Sequence, residues 1–444
     1  MTMNSNRRDF LRNMLAASMG SASLLGSLGW ASTAQAAATL AGPNDYRGLV
    51  TVFLFGGNDS FNTVVPLDSR YSQYAQARGP LAIPQSDLLS LGTTGLGLHP
   101  AMPGLHSLFN QGRVAVGSNV GPLLEPVTRE GFLAGSAKVP PQLFSHEQQQ
   151  VHWQTAEPAS LARRGWLGRA NDLLETAYPD QDLPFGISML GSNTLQVGNI
   201  TNAYAVGPEG PPALVIRELD ESLGPIHDRL LAREQSHPLM AEHGRLRRRS
   251  IDIYERYAVG FETVPNIQTP FPANGLAQQL LGVARYMAVS QQLGIRRQNF
   301  FVGFGGFDTH ASQLTTHPQL LAALDQAITA FYNATIELGL VDQVTLTTLS
   351  EFGRTLSING DGTDHGWGGH QFAVGGPVQG GLVGQFPELA IEGPDDAGEG
   401  RLIPTMATEQ FMAPLMEWFG VSGADLNLVF PNLSRFDTPV NYMS

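Results

Sequence analysis

Apolar residues fall along this chain in two rhythms. Gly48-Leu49-Val50-Thr51-Val52-Phe53-Leu54-Phe55, Arg113 to Asn119, Asn299 to Phe304 and Val344 to Leu349 are short β-rich runs with no alternating polar face. That is the pattern of strands buried on both sides. Shorter strand-like pieces lie at Gly186 to Met189 and Phe372 to Gly376. Between them the spacing turns helical: from Ser145 with Val151 and Trp153 on one side, over residues 165–175 and 212–260, from Leu276 to Leu293 before Gly294, from Leu320 to Leu338 before Gly339, and from Thr405 to Phe419. A short helix is predicted near Met102 to Phe109, and Pro265 to Pro272 reads as a linker. Strands alternating with helices predict an α/β fold: a doubly wound, mostly parallel sheet with helices on both faces. One domain over 37–444 is expected, with helical and loop insertions near 65–145 and 195–260, and no repeat of fixed period is visible.

Composition narrows the chemistry. The 444 residues carry a formal net charge of −13, which argues against a nucleic-acid partner. The dense basic cluster, Arg245-Leu246-Arg247-Arg248-Arg249, reads as a solvated helix face. There is no cysteine, which excludes disulfides, thiolate nucleophiles and sulfur-ligated metals. Asn6-Arg7-Arg8-Asp9-Phe10-Leu11-Arg12, a small-residue apolar run from Met14 to Trp30 and Ala34-Gln35-Ala36 form the pattern of a twin-arginine export signal over residues 1–36. The expectation is a periplasmic or secreted protein that meets the twin-arginine translocase during export. The run is too weakly apolar for a stable membrane span.

Candidate chemistry gathers where strands end. Phe55 leads into Gly56-Gly57-Asn58-Asp59-Ser60-Phe61-Asn62. There Asp59 either ligates a metal or caps the next helix, and Asn58 and Asn62 either reach an oxyanion or satisfy local backbone. Asp308 and His310 stand two apart on an extended segment, so they share a face and suit a zinc- or manganese-type site, or else form an Asx-turn beside a surface histidine. Glu351 follows an apolar strand and needs a metal or the nearby Arg354 as partner. Asp364, His365 and His370 lie in a loop with five glycines between residues 360 and 369, which lets backbone approach a ligand closely. Ser145, before a predicted helix and with a capping-box spacing to Gln148, is a nucleophile activated by a metal or a plain N-cap. His146 beside it is a candidate acid or ligand.

Together these motifs resemble the domain-of-unknown-function 1501 family of twin-arginine-exported bacterial proteins. The resemblance rests on Arg7-Arg8, Phe55 to Asn62, Ser145-His146, Gly306-Phe307-Asp308-Thr309-His310, Ser350-Glu351-Phe352-Gly353-Arg354-Thr355 and Gly362 to His370. That family looks like a branch of the alkaline phosphatase–sulfatase superfamily. The resemblance implies an alkaline-phosphatase-like fold, one or two divalent metals (zinc, manganese or calcium) and a nucleophile at a helix N-terminus. Asp59 matches the acid after the first strand, Ser145 the nucleophile, and Asp308 and His310 the mid-chain ligands. Glu351-Phe352 falls where an Asp-His pair is usual, so Phe352 removes one ligand unless His370 supplies it. A competing alignment makes Asp364-His365 that pair.

The resulting expectation is an exported, metal-dependent hydrolase of phosphate or sulfate esters. Ser145 and His146 would be catalytic, and Asn58, Asn62 and Arg354 would hold the anionic ester. Asp59, Asp308, His310, Glu351, Asp364, His365 and His370 would supply the metal ligands. The alternative is a non-catalytic exported binding or assembly protein on a degenerate scaffold, with a cell-surface polymer as partner.

Overall fold

The computed structural model describes residues 45–161, 163–211, 222–233, 236–264, 266–436 and 440–444. The export-signal segment, residues 1–36, and the first ten residues of the predicted 212–260 helical stretch lie outside the described residues. Gly42–Ser444 forms one compact unit.

A nine-stranded sheet organises the chain. In chain order its strands are β1 (Arg47–Phe55), β2 (Val114–Gly121), β3 (Gly186–Ser188), β4 (Tyr204–Ala205), β5 (Arg297–Gly305), β6 (Val344–Ser350), β7 (Gly369–Gly375), β8 (Gly381–Val383) and β9 (Met406–Ala407). Their spatial order is β8-β2-β7-β6-β1-β5-β3-β4, with β9 also paired to β2. Every pairing is parallel except those of β7, which runs antiparallel to both β6 and β2. The sheet is therefore mostly parallel, as its unbroken apolar runs predict. A separate three-stranded sheet joins Val64–Pro66, Leu96–Leu98 and Leu89–Ser90.

The helices relevant here are α1 (Ser60–Thr63), α2 (Tyr71–Arg78), α3 (Pro103–Asn110), α4 (His146–Thr155), α5 (Trp166–Ala177), α6 (Leu223–Ala232), α7 (Pro238–Phe261), α8 (Gly275–Gln292), α9 (Gln313–Glu337) and α10 (Thr408–Phe419). Alternation along β1 sorts them into layers. Val50, Val52 and Leu54 share one core with Leu280 and Val283 of α8 and Leu324 and Ile328 of α9. Leu49 and Phe53 point the other way, into a core with Trp166 and Ala170 of α5 and Phe411 and Leu415 of α10. Helices cover both faces, so the central strands are buried on both sides, their threonines included.

Gly294 and Gly339 follow α8 and α9 with φ of +69° and +68°, the left-handed geometry that ends a helix. α9 begins seven residues before the predicted Leu320, because Gln313 is drawn inward to polar partners described below, and Pro318 is accommodated inside the helix. Because β1, β5 and β6 are parallel, Gly56–Asp59, Gly306–His310 and Glu351–Arg354 emerge at one edge of the sheet, and antiparallel β7 starts there too. Carboxyl ends of parallel strands are where such folds build sites.

Candidate metal centre

Three histidines converge on Asp308 at that edge. His310 Nε2 lies 3.0 Å from Asp308 Oδ1, His365 Nε2 3.4 Å from the same oxygen, and His146 Nε2 3.5 Å from Oδ2. His310 and His365 approach each other Nε2 to Nε2 at 3.0 Å. Ligand-capable atoms of His146, Asp308 and His365 all lie within 4.8 Å of one another.

The second nitrogen of each ring explains the convergence. His146 Nδ1 is 3.0 Å from Glu351 Oε1, His310 Nδ1 is 3.0 Å from Asp364 Oδ1, and His365 Nδ1 is 2.8 Å from the Phe144 carbonyl. An acceptor at Nδ1 favours a proton there, and Nε2 in turn faces the Asp308 carboxylate, so each ring is either doubly protonated and donating to Asp308 or neutral with an Nε2 lone pair for a cation. The two nitrogens of His310 and His365 that face each other need a shared proton or a cation between them. Donor atoms around a four-coordinate zinc, at about 2.1 Å from it, stand about 3.4 Å apart. The nitrogen–oxygen donor set suits such an ion, and His146, Asp308 and His365 lie within 4.8 Å of one another, with His310 outside that group.

Local structure holds each group. Asp308 keeps a net negative charge. Partial burial raises its pKa, but the hydrogen bond and charge of Arg354, with His310 and His146, bring it below the usual carboxylate value. His146 is raised by its hydrogen bond to Glu351, against some desolvation. His365 is lowered, first by burial. Phe352 underlies both rings, stacked on His365 at 4.7 Å between centroids and tilted against His146 at 5.0 Å. It also fills the space beside Gly57, where an added Cβ would sit 2.1 Å from its Cε2. Phe144, just before α4, has φ +71°, a strained value for a phenylalanine, and its carbonyl is the one that holds His365. Ser145 is the N-cap of α4 but makes no side-chain capping bond, so the predicted capping box does not form.

Asp308, His310 and His365 thus meet, joined by His146, which the sequence offered as a catalytic residue. Glu351 and Asp364 stand one step back. Glu351 is fully buried, and its Oε1 also accepts from Gly56 N at 2.7 Å and Gln150 Nε2 at 3.1 Å. Its Oε2 is buried without a partner.

Arg354 is fully buried behind Asp308, donating to it at 2.8 Å, to Gly56 O at 3.0 Å and to Thr363. With its donors so engaged, it positions Asp308 rather than holding an ester anion.

The remaining predicted residues lie elsewhere, each with its own partners. Asp59 is fully buried in a bidentate pair with Arg78, at 2.8 and 2.6 Å. It also caps α1 through Phe61 N and Asn62 N and accepts from Gln313. With its oxygens so occupied, it serves as cap and counter-ion, not as a metal ligand. Asn58 accepts from His317 at 2.9 Å and donates to Thr63, while Asn62 bonds Leu81 O and Tyr74, so both are internal braces rather than substrate contacts. His370 is buried between Phe61 and Phe386, accepts from Asn119 N, and is held neutral by burial, its pKa pushed down to about 3. It does not replace the ligand missing at Phe352. Arg78, Gln150, Gln313 and His317 were not singled out by sequence. Arg78 and Gln313 carried no local signal, because their partner Asp59 is reached only through the fold.

A family model described as "Protein of unknown function (DUF1501)" matches residues 272–406, the segment that supplies Asp308, His310, Glu351, Arg354, Asp364 and His365. No curated protein matches the sequence. Solved structures with a similar arrangement include the lipoteichoic acid synthase LtaP from Listeria monocytogenes (TM-score 0.38, 7% identity, 88% of this chain and 76% of that one). Another comes from work on a Bacteroides thetaiotaomicron locus for the metabolism of multiple glycosaminoglycans (TM-score 0.34, 12% identity, 84% and 73%). A third is Ps i-CgsB (TM-score 0.35, 9% identity, 86% and 74%). At these scores the likenesses say nothing about the chemistry of the site.

Proposed function

Starting from a DUF1501 segment that carries most of the cluster, we propose that the chain is a metal-dependent hydrolase of phosphate or sulfate esters with a single metal centre. The supporting observation is the convergence of three Nε2 atoms on Asp308, each ring fixed from behind by Glu351, Asp364 or the Phe144 carbonyl. His146, His310, His365 and Asp308 would hold the ion. Asp59 is neutralised by Arg78 and Phe352 offers no donor, so these two positions would supply no ligand to a second site. A divalent cation here supplies Lewis acidity toward an ester oxygen and lowers the pKa of a bound hydroxyl or water.

The protein's own groups do the rest. Arg354 fixes Asp308, Phe352 keeps the imidazoles in place, and the half-exposed His310 and Asp364 face solvent where an ester would enter. Ser145, adjacent to His146 and free of capping duty, is the side-chain nucleophile this reading favours.

The test is metal analysis of the purified chain, followed by a panel of phosphomonoester, phosphodiester and sulfate ester substrates. About one equivalent of metal and ester hydrolysis are expected, with both lost in Asp308→Ala/His365→Ala. Full activity in that double variant refutes the mechanism. Metal without turnover on any ester favours the second reading, a binding protein on this scaffold, which the Asp59–Arg78 lock also suits.

A further inference from the structure

The basic cluster that the metal centre leaves unused lies in a helical hairpin formed by α6 and the first half of α7. From Ser236 to Ser250 every described residue except Gly244 is exposed, and α7 becomes buried only from Ile251 onward, through Ile253 and Tyr257. Within the hairpin, the buried Gly224 and the partly buried His227 and Leu231 of α6 share one face, and Arg248 donates to the Leu231 carbonyl. The first turns of α7, up to Gly244, thus stand away from the core, while Arg245, Leu246 and Arg249 line a cleft with Leu183 to Gly186 and Ile200 to Tyr204. Helices of this kind draw their stability from burying an apolar face.

The hairpin has such a face, and it points outward. Leu223, Ile226 and Leu230 follow an i, i+3, i+7 spacing on α6 and are 36%, 43% and 54% exposed. On α7, Leu239 and Met240 are 75% and 52% exposed.

Charge selects the occupant. Residues 222–249 hold six arginines (Arg229, Arg233, Arg245, Arg247, Arg248 and Arg249) against three acids, an excess of +3 within a chain whose net charge is −13. A second copy would bring the same positive surface, so self-association opposes like charges. An anionic lipid surface offers both a negative headgroup layer for the arginines and an acyl boundary for the leucines. No described helix is long and apolar enough to cross a membrane, which leaves attachment at the surface as the mode available to this hairpin.

We propose that the α6–α7 hairpin docks the protein peripherally on anionic lipid, its Leu223/Ile226/Leu230 stripe entering the headgroup boundary and its arginines meeting the headgroups. This is independent of the metal centre.

The test uses the compact unit from Gly42 onward, which omits the apolar run at residues 14–30. Co-sedimentation is measured with phosphatidylcholine vesicles, with and without phosphatidylglycerol. The expected result is binding that requires phosphatidylglycerol, weakens with salt, and falls at least about tenfold in both Leu223→Ser/Ile226→Ser/Leu230→Ser and Arg247→Glu/Arg249→Glu. All five positions are exposed, and circular dichroism and the melting midpoint verify that each variant is folded. The proposal is overturned by absence of vesicle binding, by equal binding to both vesicle types, or by variants that bind undiminished. It is also overturned if the apolar variant instead converts an oligomer to a monomer, which would make the hairpin an interface between copies.

Discussion

Replacing Arg78 with Met removes the cation that pairs with the fully buried Asp59 carboxylate and keeps most of the side-chain volume. Arg78 and Asp59 are both 0% exposed, and their two hydrogen bonds are 2.8 and 2.6 Å long. In Arg78→Met, Asp59 would keep only the α1 backbone donors and Gln313. Breaking a buried pair from one side costs about 3–5 kcal/mol, because the remaining charge stays desolvated. That is a large part of a typical total of about 5–15 kcal/mol. Adding Asp59→Asn removes the stranded charge and keeps a capping oxygen, so the double variant should recover at least about half of the loss.

Equilibrium urea unfolding followed by tryptophan fluorescence measures both. The pH sign is also fixed. Burial raises the Asp59 pKa, but Arg78 and its neighbours bring it below the usual value. The stabilisation is therefore present above the unfolded carboxylate pKa of about 3.9 and is lost as pH falls through the lower folded value. Arg78→Met should flatten that acid limb. Metal content should stay unchanged, since Asp59 is no ligand. A loss below about 1 kcal/mol, or no rescue by Asp59→Asn, refutes the reasoning.

Three further outcomes are expected. Glu351→Gln takes the carboxylate from behind His146 and should weaken metal binding about 10- to 100-fold, read by titration against a chelator. Phe352→Ala should cost about 3–5 kcal/mol and reduce metal affinity by freeing His146 and His365, while Gly57→Ala, at φ +80° against the Phe352 ring, should fold poorly or not at all by expression and circular dichroism. Glu409, fully buried in the first turn of α10, has its pKa raised by desolvation to about 7, so stability is full below the unfolded value of about 4.3 and falls as pH rises through 7. Glu409→Gln should then stabilise the fold by about 3 kcal/mol at pH 8 and by little at pH 4, measured by urea unfolding at each pH.

The sheet was legible because β1, β5 and β6 are buried on both faces, and burial on both faces leaves apolar and β-branched runs with no charge in mid-strand. β7 was read from Phe372, three residues after it starts, and its reversed direction gave no signal, since parallel and antiparallel partners bury the same residues. Asp308, His310, Glu351, Asp364 and His365 stood out because acids and imidazoles beside apolar strand ends or among glycines need a partner. How they divide into those that meet and those that stand behind depends on ring orientation, which spacing does not encode. Asp59 shows the limit most plainly. Its turn suited capping somewhat better than ligation, and the outcome was fixed by Arg78, on a helix with no apolar stripe to announce it.

The position of β1 has a consequence for how the protein is made. It is the first strand of the sheet to be synthesised and lies in its middle, with Arg47 beside Arg297 and Gly48 beside Val344. Both neighbours come about 250–300 residues later, and at about 5–20 residues per second the ribosome takes tens of seconds to reach them. Until then both hydrogen-bonding edges of an unbroken apolar strand lack their native partners. Closure of the sheet must wait until translation is most of the way through, so the nascent chain depends on being kept from aggregating far more than a protein built from neighbouring hairpins would.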